Sequence, residues 1–351
     1  MAKYKKSLLE ERQKEIENLV NKANKNMMQF SKSEDGLKEM TRYMAQFHNY
    51  SRNNISLISS QYEGALAVAG YNKWKEQGLN VRKGQKGIKI FVPSSYKVYF
   101  DEKSKSYIPL KQLNNEQKKE VNKNPELVAS RTSFFLTNVF DITQTDAEPE
   151  DYPKYYPNKP YHIKHDEDLD IKQFNKYIEN ILKEKDIDLN MNAVINNAAK
   201  GNYMQYIGEE ANVKDMINIS DRMSIEEKTH VLLHEVAHSK LHKQNEVNIL
   251  EKEKATKEIE AEMSAYVVGT YYGLDLEEIS TVYLSSWKNF LSKEEEEELF
   301  VIYDNVKKAS SEMINNIEKQ AYLEKEHEHS LSKEEKEVKT ELIKLNSELE
   351  L

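Results

Sequence analysis

The segment THVLLHEVAHSKLH, residues 229–242, holds the densest chemistry in the chain. His234 and His238 are four residues apart, so on a helix they lie on one face, a turn from each other. Two imidazoles at that spacing can clamp one divalent cation. Glu235, next to the first of them, can reach a water held by that cation and serve as its general base. Zn²⁺ is the expected metal, with Mn²⁺ left open by the same donor chemistry. The chain has no cysteine. Disulfides and thiol catalysis are thereby excluded, and any metal must be held by His, Asp or Glu.

A third ligand is needed, and KEIEAEMSAYVV at 257–268 offers three carboxylates. Glu258 and Glu262 share a helical face, whereas Glu260 falls roughly opposite. Glu258 is assigned as the third ligand and Glu262 as a carboxylate that orients a ligating imidazole; the reverse assignment stays open. Three protein ligands leave a coordination position for water, which is the catalytic type of site. His230 and His242, one turn to either side, are read as ordinary residues flanking the site. KDMINIS, residues 214–220, is read as an edge strand along which an extended peptide could lie. This part of the chain resembles the gluzincin metallopeptidases, which carry HExxH on one helix and ExxxD/E on the next. The resemblance implies a zincin-like domain that hydrolyses peptides with water.

These residues need elements to position them. Residues 4–29 show helical spacing of apolar residues, and a second helix is expected after the cap-like Ser33. Short helices are expected at 53–60 and 71–77. IKIFVPSSYKVYF (88–100) and TSFFLTNVFDI (132–142) are rich in β-branched and aromatic residues and read as strands. Four of the seven prolines fall in 145–160, which marks a linker. Beyond it come a helix near 168–184, strands near 203–207 and 215–219, helices at 224–243 and 255–272, a helical 274–290, and a charged helical end. The expected class is α+β. Its parts are a mixed helix/antiparallel-sheet domain at 1–145, a linker at 146–160, the metal domain at 161–290 and an acidic helical tail at 291–351.

Charge separates the two ends. Residues 1–145 carry 25 Lys and Arg against 15 Asp and Glu, a net of +10, so the remainder carries −19 of the overall −9. A basic front and an acidic back imply different partners. The front interleaves aromatics with cations: Tyr62, Tyr71 and Trp74 could stack on bases, and Arg82, Lys83, Lys86 and Lys89 could track phosphates. Gly84 and Gly87 would let the backbone approach a phosphate. No run of about 18 apolar residues is present, so no membrane span is expected. The first residues lack the apolar core of a signal peptide, and a reducing cytoplasm is the expected setting.

The run YSRNN…GYNKWKEQGLNVRKGQKGIKIFVP, followed by FFLTNVFDITQT at 134–145, resembles the N-terminal domain of ArdC-type antirestriction proteins. The matching positions are Asn53, Asn54, Trp74, Val81–Gly87, Pro93 and Val139–Thr145. In that family the domain binds single-stranded DNA and is joined to a zincin-like domain with HExxH and a downstream Ala-Glu, here Ala261 and Glu262. The resemblance implies a protein of a mobile genetic element that binds incoming single-stranded DNA and shields it from restriction, with a restriction component or another protein as a second partner. Two rival expectations stand beside it. One is a regulatory zinc peptidase similar to the ImmA/IrrE group, which cuts a repressor. The other is a non-catalytic DNA-binding protein with a structural zinc.

Overall fold

The computed structural model describes residues 2–101, 104–152, 170–195, 199–207, 213–242, 251–274 and 277–349, without the side chains of 2–13, 151, 207, 251–253, 277–283 and 327–349. The expected α+β mixture is found. It forms two compact units: Met1–Asn24 with Ser56–Tyr155, and Lys25–Ile55 with Tyr156–Leu351. The division therefore does not fall at the proline-rich stretch alone, because residues 25–55 pack with the C-terminal unit. Residues 153–160 of that stretch lie outside the described residues.

In the first unit a four-stranded antiparallel sheet has the order β1-β4-β2-β3, formed by β1 (Val68–Gly70), β2 (Ile88–Asp101), β3 (Ser106–Pro109) and β4 (Val128–Asp141). β2 and β4 pair along their length, from Ile88 opposite Val139 to Tyr99 opposite Val128. The first part of helix α1 (Ala2–Phe30) and the end of α3 (Arg52–Gln61) belong to this unit. Gln61 ties α3 to β2, donating to the carbonyl of Lys89 and accepting from its N–H. Helix α4 (Tyr71–Glu76) buries Trp74 completely, and the indole donates to the Phe140 carbonyl at 2.8 Å. α5 (Asn115–Lys123) occupies the excursion between β3 and β4 and opens with a capping box of Asn114 and Gln117.

The FDITQT stretch fastens the unit. The Asp141 carboxylate is fully buried and accepts from the N–H groups of Leu66, Ala67 and Thr143 and from the Thr143 hydroxyl. A buried carboxylate so surrounded by donors is compensated for its desolvation. Gln144 accepts from the N–H of Asp141 and donates to the Lys86 carbonyl, which ties the 82–87 loop to the same turn.

In the second unit α2 (Glu34–Gln46) begins at Ser33, whose hydroxyl accepts from the Gly36 N–H. It buries Leu37, Met40, Tyr43 and Met44. α6 (Ile171–Glu184) is capped by Asp170 and buries Phe174, Ile178, Ile181 and Leu182, the spacing of one helical face. A three-stranded sheet follows in the order β5-β7-β6, from β5 (Ile187–Ala193), β6 (Gly201–Ile207) and β7 (Val213–Ser220). β5 and β7 are parallel, and β6 is antiparallel to β7. The expectation of an edge strand at 214–220 is thus corrected. β7 is the central strand, with neighbours on both sides, and β6 is an edge.

α7 (Ile225–Leu241) carries the HEVAH segment, and α8 (Glu251–Tyr272) the Glu258–Glu262 segment. A capping box of Ser224 and Glu227 sets the start of α7 and with it the register of the histidines; a cap of this kind contributes about 1 kcal/mol. Both helices enter one core with α6 and the sheet, including Ile217, Ile219, Leu232, Leu233, Ala261, Ala265 and Val268. α9 (Glu277–Leu291) precedes α10 (Glu296–Leu349). The start of α10 is not a solvated tail: Leu299, Ile302, Tyr303, Val306, Met313, Ile314 and Ile317 are buried.

Candidate metal centre

α7 and α8 pack against each other and turn four histidines toward three glutamates. The Nε2 atoms of His234 and His238 are 3.0 Å apart. Glu258 Oε2 lies 3.5 Å from the first and 3.6 Å from the second. The ligand atoms of His234, His238 and Glu258 all fall within 4.8 Å of one another. The opposite ring nitrogens are engaged. His234 Nδ1 is 2.7 Å from Glu262 Oε2, and His238 Nδ1 is 2.9 Å from His242 Nδ1. Each Nε2 therefore faces the shared space. Two imidazoles and a half-exposed carboxylate, oriented from behind, fit a divalent cation.

Electrostatics favour charge at this cluster. Burial opposes an imidazolium at His234, but hydrogen bonds to Glu258 and Glu262 outweigh it and raise the group to about 10. Hydrogen bonds from His234 and His238 hold Glu258 well below the usual carboxylate range. At Glu262 burial pushes upward, and the bonds from His230 and His234 overrule it, bringing the group to about 2. Glu235 differs: burial raises it, partly offset by the nearby imidazoles. Its carboxylate rests against β6. A Cβ at Gly201 would stand 3.0 Å from Glu235 Oε1 and 2.6 Å from Val231 Cγ1, so only glycine fits there.

Two roles assigned to flanking positions change. His230 is buried and bonds through Nε2 to Glu262 Oε1 at 2.8 Å, so Glu262 bridges two imidazoles. His242 bonds through Nε2 to Glu260 Oε2 at 2.8 Å, and Asn305 of α10 donates to Glu260 Oε1 at 2.7 Å. A second arm, Asn305–Glu260–His242, thus backs His238 as Glu262 backs His234. The regular spacing of histidines at 230, 234, 238 and 242 is the one signal in the sequence for these two residues.

The front-half candidates separate by exposure. Tyr71, Lys83 and Lys86 are exposed. Arg82 is exposed, but its guanidinium also donates to the Thr143 carbonyl. Lys89 pairs with Glu15. The Tyr62 hydroxyl meets Thr143 Oγ1 at 2.7 Å. Trp74 is a correction: with no exposed surface it cannot stack on a base, and it serves as core. Asn54 is buried and Asn53 partly so; both lie in the stretch of α3 that packs with the second unit. Gly84 holds a left-handed turn at φ 89°. Gly87 admits no Cβ because Asn138 Cβ would be 2.8 Å away, so its role is strand packing rather than phosphate approach.

Residues 6–135 match the family profile described as the N-terminal domain of anti-restriction factor ArdC. An uncharacterised protein of Bacillus anthracis is 32% identical over 348 residues, covering 96% of this chain; the chain spans 57% of that relative's length. Two crystal structures of the antirestriction protein ArdC from plasmid R388 are also similar. The metal-free one is 17% identical at a TM-score of 0.37, over 77% of this chain and 84% of that one. The Mn(II)-bound one is 18% identical at 0.38, over 78% and 85%.

Proposed function

We propose that this chain is an antirestriction factor that binds single-stranded DNA through its first unit and hydrolyses a protein partner at the metal centre of its second. The observation that carries the hydrolytic part is the convergence of the ligand atoms of His234, His238 and Glu258 within 4.8 Å, with the buried Glu235 carboxylate close enough to feel both imidazoles. The match of residues 6–135 to an anti-restriction domain supports the DNA-directed part.

His234, His238 and Glu258 would hold the cation, with Zn²⁺ favoured by the two-imidazole, one-carboxylate set and Mn²⁺ the alternative. When bound, such an ion supplies Lewis acidity that lowers the pKa of a coordinated water and polarises a carbonyl. Glu262 and His242 hold the two imidazoles with Nε2 forward. Glu235 accepts the proton of the attacking water on its carboxylate and delivers it to the leaving amine. The edge of β6, next to Glu235, offers backbone groups to an extended peptide.

The test is Glu235→Gln in the full chain, followed by cation content and by cleavage of an unfolded protein such as casein. Cleavage should fall by about 10²-fold or more while the bound cation stays. Equal cleavage by the variant overturns the role of Glu235. A parent that binds the cation, gains thermal stability from it and cleaves nothing identifies the site as structural.

A further inference from the structure

Between its two buried ends the β2–β4 pair becomes a ribbon with little cover on either face. Ile88, Ile90 and Val139 are buried at one end, and Val98 and Tyr99 at the other. Residues 129–135 of β4 are all exposed, as are Ser95, Tyr96 and Lys97 of β2. Such surface is where sheets usually place polar residues. Here it carries Phe134 at 64% exposure, Phe135 at 49%, Tyr107 at 45% and Tyr96 at 39%.

The register puts most of these rings on one face. Tyr96 stands opposite Arg131, Val92 opposite Phe135 and Phe100 opposite Tyr107. Alternation along the strands then gathers Phe135, Tyr96, Arg131, Phe100 and Tyr107 on a single face. Phe135 to Phe100 covers eight residue steps, ~26 Å, with the buried Val98 on the same face between Tyr96 and Phe100. The Arg131 guanidinium lies 3.7 Å from the centroid of the Tyr107 ring, and the Phe100 and Tyr107 centroids are 5.0 Å apart. Residues 93–100 and 129–136 contain Lys97 and Arg131 and no Asp or Glu. Ser94 and Ser133 add hydroxyl donors on the aromatic face, whereas Lys97, Ser130 and Thr132 fall on the other.

We propose that this aromatic face of the β2–β4 ribbon is a stacking platform for the bases of single-stranded DNA, with Arg131 meeting the phosphates. The charge pattern selects the occupant. Rings alone would suit an apolar protein surface, but rings beside the Arg131 guanidinium and two serine hydroxyls, with no carboxylate from these strand segments, suit an unpaired polynucleotide, which presents ring faces and an anionic backbone together. The proposal rests on the reading above that the first unit binds single strands. It moves the contact away from the 82–87 loop and onto residues that motif spacing did not mark.

The experiment is fluorescence anisotropy of the full chain with a labelled 20-nucleotide oligo-dT and with a duplex of the same length, across a salt series. Phe135→Ala and Tyr96→Ala should each weaken oligo-dT binding about tenfold. Arg131→Gln should also lower the salt slope by about 0.7. All three positions are at the surface, so unchanged melting temperatures establish that the variants fold. A parent that binds oligo-dT equally well in all three variants, but loses affinity in Lys83→Gln/Lys86→Gln, overturns the platform and leaves single-strand binding standing. No binding by the parent at low salt overturns both. Sedimentation in which the parent dimerises and Phe135→Ala does not would assign the face to a second copy of the chain and overturn the proposal.

Discussion

The α7–α8 pair and the β2–β4 ribbon expose opposite kinds of risk. At the helices, ionisable groups are taken out of water: His230, Glu260 and Glu262 are all buried, and each has a partner of complementary character. At the ribbon, apolar rings are left in water, Phe100 beside Tyr107 and Tyr107 beside the Arg131 guanidinium. A buried polar cluster is sustained only when it is bonded throughout, so its geometry is tight and its members depend on one another. An exposed aromatic strip has no such internal logic, and what it recovers comes from what covers it. The first region has the dimensions of one small ion, the second those of an extended chain.

Substitutions can break this contrast, and the largest effect belongs to a residue near neither extreme of function. Trp74 and Tyr71 share helix α4, one buried and one half-exposed. Trp74→Ala should cost about 3–5 kcal/mol in urea melts, and Tyr71→Ala less than about 0.5. Similar losses for both would deny that burial distinguishes them.

His48 extends the comparison to a buried base without an ionic partner. It lies against the Tyr271 ring, centroids 4.9 Å apart, and burial lowers it from 6.5 to about 4. The folded state then binds fewer protons than the unfolded chain between those values. Stability therefore falls as pH drops from about 6.5 to about 4, by roughly 3 kcal/mol in all from this group. Chemical melts at a series of pH values, with His48→Gln as reference, measure it; an identical acid loss in the variant would place the cause elsewhere.

The two carboxylate arms of the metal centre should differ in degree. Glu262→Gln weakens the bond that orients His234 and should reduce Zn²⁺ affinity about 10- to 100-fold in competition titrations. Glu260→Gln acts through one more imidazole and should cost about tenfold or less. If Glu260→Gln proved the more damaging, the order of the arms would be reversed.

Much of this was legible in the chain. HEVAH puts two imidazoles on one helical face by spacing alone, and Glu258 and Glu262, read from the same geometry one helix later, lie against them in the structure. The β-branched and aromatic runs announced β2 and β4. What escaped did so for physical reasons. Asn305 meets Glu260 across 45 residues, which no local pattern encodes. The buried stripe of α10 is obscured in composition by the glutamates and lysines on its other faces. Trp74 looked available for stacking because its burial comes from β4, far along the chain. Tyr96 and Phe135 gather on one face only once the register of two strands is known.

The Asn305 bond has one more consequence. It links α10 to the candidate cation site, through Glu260, His242 and His238 in turn. By thermodynamic linkage the traffic runs both ways. Loading the cation should slow amide exchange along the first turns of α10, and whatever draws that helix off its seat must loosen the grip on the ion by the same factor.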